Sequence, residues 1–82
     1  MNKPLNHNNH WKTSDLALAT ALSLFCPIEA LEKIDSHRAY FVFKEDRELD
    51  ELLKKYWQRK LKVEPQTFFN QLKIIKARLY SE

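Results

Sequence analysis

Five cations in the C-terminal third, Lys60, Lys62, Lys73, Lys76 and Arg78, have a type and grouping that suit one recognisable chemistry. Positive charges spaced along a surface neutralise phosphates and release counterions, the sequence-independent part of nucleic-acid binding. Trp57 and Tyr80 lie among them in the chain, and aromatic rings beside such a surface stack on unpaired bases. Lys54, Lys55 and Arg59 enlarge the set. Between positions 54 and 78 eight bases face a single acid, Glu64, for a local net charge of +7. Between positions 29 and 51 eight acids face four bases, a local net of −4, so the overall +3 conceals two opposed halves. Helix ends account for part of this, because acids favour the first turn of a helix and bases the last.

Other constellations are weaker. His7 and His10 have no third local ligand and His37 is remote, so no metal site is expected. Cys26 and His37 lack an orienting acid and an oxyanion loop, and Cys26 reads as a small buried hydrophobe rather than a nucleophile. The acids from position 45 to 51 spread over a turn and a half and read as a helix cap and a solvated face, not as an acid–base pair or a calcium loop. Glycine is absent, which removes every Gly-rich phosphate loop and dinucleotide fingerprint. No enzymatic activity and no cofactor are expected. No apolar run approaches the roughly 18–20 residues that span a membrane, and residues 1–12 carry no signal-peptide core. One cysteine and no leader point to a reducing, cytoplasmic setting, away from membranes.

The elements that must position these residues are legible in the pattern. Eighty-two residues allow one domain and one small core. Residues 1–12, rich in Asn and His, read as a disordered tail, with Trp11 a candidate to dock on the body. Thr13 or Ser14 caps a first helix, apolar nearly all round over 16–25 and stopped by Pro27. Two strands, 28–34 and 38–44, flank an Asp35-Ser36-His37 turn. In the second, Ala39, Phe41 and Phe43 alternate with Tyr40 and Val42, so both faces want cover. Its aromatics resemble base-stacking sheets but are expected to be core. Asp46 caps a second helix with Leu49, Leu52, Leu53, Tyr56 and Trp57 at helical spacing. A short extended connector then alternates Lys60 and Lys62 with Leu61 and Val63. Pro65 opens a third helix, on which Phe68, Leu72, Ile75 and Leu79 form a stripe. Lys76 projects between Leu72 and Phe69, inside the apolar sector, and is expected to snorkel.

The residues Thr13-Ser14-Asp15-Leu16-Ala17-Leu18-Ala19, Phe41-Val42-Phe43 and Tyr56-Trp57, followed by Val63-x-Pro65-x-x-Phe68-Phe69-x-x-Leu72-Lys73-x-x-Lys76-x-Arg78-x-Tyr80, resemble a family of short prokaryotic proteins catalogued as domain of unknown function 5659. The resemblance covers about residues 13–80, and its closing stretch is the most specific part. It implies a compact α+β body and a mobile-element or host-defence context, with no activity to carry over. Family members tend to place glycine after the first helix and after the Tyr-Trp pair, where this chain has Phe25-Cys26-Pro27 and Gln58-Arg59-Lys60.

The expected architecture is therefore a single α+β domain over 13–82, helix–β-hairpin–helix–helix. The expected function is a non-enzymatic accessory protein of a mobile element or defence system that binds nucleic acid through Lys60, Lys62, Lys73, Lys76 and Arg78, with Trp57 and Tyr80 stacking. The competing class is a protein-interaction module: a homodimer paired through the hairpin edge, or an anti-defence inhibitor docking on a host nucleoprotein complex.

Overall fold

The computed structural model describes residues 9–81. Along the chain run β1 (His10–Thr13), α1 (Leu16–Ser23), β2 (Ala30–Lys33), β3 (Ala39–Lys44), α2 (Arg47–Trp57) and α3 (Pro65–Ser81). This is the expected α+β domain, in the expected order, with one strand added in front. The sheet is antiparallel with strand order β1-β3-β2.

β1 corrects the reading of residues 1–12 as a tail. Trp11 lies opposite Phe43 and Thr13 opposite Phe41, so the folded body begins at the sheet edge. The physical reason is in β3, whose two apolar faces and two rows of backbone groups need partners on both sides. Trp11 and Thr13 are half-buried while His10 and Lys12 are exposed, the period of two that a half-covered strand requires. The rest of the tail assignment, His7 included, lies outside the described residues. The hairpin edge changes as well: β1 closes the far side of β3, so among the described residues the sheet edges are β1 and β2.

The register assigns each face. Phe41 and Phe43 join Leu18, Ala19 and Leu22 of α1, Leu49 and Leu52 of α2 and Ile75 of α3 in one core. Trp11 adds its ring against Phe43 with centroids 6.3 Å apart. α1 is the hub, packed on α3, α2 and β1. Its apolar composition follows from that position, since a helix with neighbours on most sides needs few polar residues. Thr20 is fully buried but returns its hydroxyl to the Leu16 carbonyl at 2.8 Å, so no donor is stranded. Ser23 Oγ accepts from Gln71 Nε2 of α3 at 3.1 Å, tying the two helices at their polar margin.

The caps show how a chain without glycine ends its helices. Asp15, rather than Thr13 or Ser14, caps α1, accepting from the Leu18 amide at 3.1 Å, while Thr13 Oγ1 accepts from the Asp15 amide. α1 stops two residues before the expected end. Leu24 and Phe25 bond back three residues to Ala21 and Leu22, a tightened last turn that needs no left-handed residue. Asp46 caps α2 as expected, accepting from Leu49 at 2.9 Å.

The end of α2 is different. The Arg59 amide donates to the Tyr56 carbonyl at 3.0 Å and the Lys60 amide to the Lys55 carbonyl at 2.8 Å, the paired bonds of a Schellman motif. Arg59 sits at φ 62, in the left-handed region where glycine is the usual occupant. An L-residue with a Cβ costs about 1–2 kcal/mol in that conformation.

Two outcomes follow. Trp11→Ala should lower stability by about 2 kcal/mol, toward the small end of aromatic truncations because the ring is only half-buried. Urea unfolding followed by circular dichroism measures it, and a change below about 0.5 kcal/mol would exclude β1 from the cooperative unit. Arg59→Gly should raise stability by about 0.5–1 kcal/mol, seen as a higher melting temperature, because it removes the Cβ clash at the cap. A fall in stability instead would mean that the arginine side chain makes compensating contacts.

Candidate functional site

α3 separates the basic residues assigned to it. Its buried line is Ile75 and Leu79, with Phe68 and Leu72 half-buried beside them. At about 100° per residue, Lys76, Phe69, Tyr80 and Lys73 fall in that order within about 60° of one another, on one flank of that line. Arg78 falls on the other flank, about 140–160° around the axis from Lys73 and Lys76. All five are exposed. The structure thus brings Lys73 and Lys76 together with two aromatics and leaves Arg78 apart from them. Lys76, set by its spacing inside the apolar sector, reaches solvent because that sector is open at its edge: Phe69 is 58% exposed and Tyr80 54%.

Lys60 and Lys62 are positioned by the connector between α2 and α3. Leu61 and Val63 are half-buried and the two lysines exposed, so an extended stretch points both cations outward. Trp57 closes α2 and is 67% exposed, with its ring edge-to-face with Tyr56 at 5.2 Å and 88°. Tyr56, Trp57, Arg59 and Leu61 line an open depression of about 550 Å³ at this corner. Tyr80 stands at the far end of α3, its ring edge-on to His37 of the β2–β3 turn at 5.8 Å. Lys33 Nζ donates to the Leu79 carbonyl at 2.6 Å beside it, a cation on the negative end of α3.

The charged residues differ in how they are paired. Ion pairs among the described residues join Lys12 to Glu32 and Arg38 to Asp35. None of the eight bases between positions 54 and 78 takes part in one. The single acid among them, Glu64, is committed to the start of α3, accepting from the Thr67 amide at 2.8 Å and the Thr67 hydroxyl at 2.9 Å. The Thr67 amide first, then its hydroxyl and the Gln66 amide, hold this carboxyl below the usual carboxylate range. Glu64 is therefore an anionic helix cap and forms no ion pair with the lysines among the described residues.

The outer face of the sheet offers less. Tyr40 is exposed there, but Lys12 Nζ lies 4.7 Å from its ring centroid and 2.9 Å from Glu32 Oε1. The ring already has a cation and the cation already has an acid. Phe41 and Phe43 are core, as expected. Cys26 donates weakly to the Leu22 carbonyl at 3.5 Å, and burial, then Glu48 and Asp46, push its thiol above the ordinary range, opposite to what a nucleophile needs. His37 Nδ1 meets Ser36 Oγ at 2.8 Å. Among the described residues no group of three or more His, Cys, Asp or Glu side chains is placed to hold a metal. No helix among them is long and apolar enough to cross a membrane.

Two residues of this surface were not singled out by spacing alone. Phe69 is one, and its signal was present: it lies four residues before Lys73 on a helix whose buried stripe is complete without it. Arg59 is the other: it enlarged the basic set, but its helix-end position was enough to explain its charge.

No curated protein and no solved structure matches the chain. One family does, over residues 8–81. That span takes in every strand and helix described above. The chain belongs to the family described as Domain of unknown function (DUF5659).

Proposed function

We propose that this protein is a non-enzymatic accessory protein that binds nucleic acid through the surface formed by Lys60, Lys62, Lys73 and Lys76, with Trp57 and Tyr80 as stacking residues and Arg78 a peripheral contact. The observation that supports it most is the run of eight bases without an ion-pair partner among the described residues, beside one acid already used as a helix cap. These bases remain available to phosphate oxygens, which gain from each cation by counterion release. Exposed Phe69, Tyr80 and Trp57 supply rings for unpaired bases, a contact worth about 1–3 kcal/mol per base. An accessory role in a mobile element or defence system is the setting we propose, on the family resemblance.

A second reading has its own observation. The outer edge of β2 has no strand partner among the described residues, and Ile34 just beyond it is 39% exposed. A second copy or a host nucleoprotein complex could add a strand there. Glu32 and Lys33 on that strand work against it, since edge charges discourage pairing.

Fluorescence anisotropy with labelled single-stranded RNA, single-stranded DNA and duplex DNA at about 50 and about 200 mM salt separates the two readings. Binding through five or six phosphates should lower log K by about 4.5–5.5 per unit of log salt on duplex. Lys73→Glu with Lys76→Glu should weaken binding about tenfold or more and reduce that slope by roughly 1.8. Both lysines are exposed, so the double variant should keep its circular dichroism spectrum. Absence of binding at low salt, together with a dimer in sedimentation, would discard the nucleic-acid reading in favour of the β2 edge.

A further inference from the structure

The corner at the end of α2 combines a ring, a cation and a hollow in a way that suits one ligand. Trp57 is 67% exposed and braced edge-to-face by Tyr56, so at least one face of the indole is uncovered. Leu61, half-buried against the core, gives the hollow an apolar wall. Arg59 shares the hollow, and its side chain makes no ion pair among the described residues. Its backbone, at φ 62, holds a conformation that glycine would adopt without cost.

A strained residue at the rim of a site is a reason to ask what its side chain supplies. A guanidinium offers five donors in a planar fork that matches a phosphate. The negative end of the α2 dipole would by itself repel an anion. Here the Schellman bonds occupy the Lys55 and Tyr56 carbonyls, and Lys54, Lys55, Arg59 and Lys60 reverse the local charge.

We infer that this hollow takes one unpaired nucleotide of a strand, its base stacked on Trp57 and its phosphate held by Arg59. The inference rests on the nucleic-acid reading and sharpens it. A base paired inside a duplex shows no free face to the indole, so the corner selects single strands or strand ends, whereas the α3 lysines bind any phosphate backbone. The hollow, about 550 Å³ and open to solvent, admits a single nucleotide, and its open side lets the strand continue on either side.

The test uses the full chain carrying Trp11→Phe, which leaves Trp57 as the one tryptophan. Titration with a short single-stranded oligonucleotide should quench Trp57 emission, and a covalently closed circular duplex, which has no strand ends, should not. Arg59→Gly should weaken single-strand binding about tenfold while melting no lower than its parent, which separates lost contact from lost fold. Arg59→Lys should recover less than half of that loss in log K, because a point charge lacks the fork. A mononucleotide should bind about tenfold more weakly than the oligomer; equal affinity would overturn the strand assignment. Single-strand binding that depends on Lys73 and Lys76 but neither quenches Trp57 nor responds to Arg59→Gly would overturn the inference and leave the broader reading standing. No binding by either nucleic acid would remove both.

Discussion

The structure depends on β3 being satisfied on two edges and two faces at once. A strand reading Ala39-Tyr40-Phe41-Val42-Phe43-Lys44 cannot sit at the rim of a sheet without exposing apolar surface and unpaired backbone. β1 and β2 take the edges, and α1, α2 and α3 supply the side chains that cover Phe41 and Phe43. On the other face Val42 is buried as well, opposite Lys12 of β1 and Ala30 of β2. Everything positioned elsewhere, including both ends of α3, is placed by elements anchored to this strand.

The charge division follows the same layout. Acids gather where helices begin: Glu48 and Asp50 lie in the first turn of α2, after the Asp46 cap, and Glu64 caps α3. Each therefore works on a helix before it can work on a lysine. Bases gather at the end of α2 and along α3, where no acid is left over. The asymmetry is a by-product of capping as much as of any partner, yet the surface it leaves is cationic all the same. A capping role and a binding role are compatible for Lys54 and Lys55; for Lys73 and Lys76, in mid-helix, capping explains nothing.

Most of the fold was legible because its signals are local and redundant. The second helix shows a cap, an apolar stripe and dipole-matched charges at once, and Pro65 marks the start of the third. β1 was not legible as a strand: four residues with two alternations beside an Asn-rich stretch carry too little pattern, and their reason for pairing lies some thirty residues on, in β3. The candidate site was legible in composition and less so in arrangement. Lys73, Lys76 and Arg78 look contiguous in sequence, but the angular step of a helix parts the third from the first two. The corner at Arg59 was hidden for a different reason. Only backbone dihedrals reveal that an arginine occupies a left-handed position, and the absence of glycine alone does not say which residue bears the consequence.

The pairing of Trp11 with Phe43 spans 32 positions of chain, whereas β2 and β3 are joined by a turn of five residues. Closing the longer loop carries the greater entropy cost, so the hairpin is the less costly pairing of the two and β1 lies over it as a clasp. Without β1, one side of β3 would be an uncapped apolar edge, open to the same strand of a neighbouring chain. An open clasp thus uncovers the edge through which chains of this protein would pair with one another. Trp11, whose ring packs on Phe43 only when β1 is in place, reports on that closure.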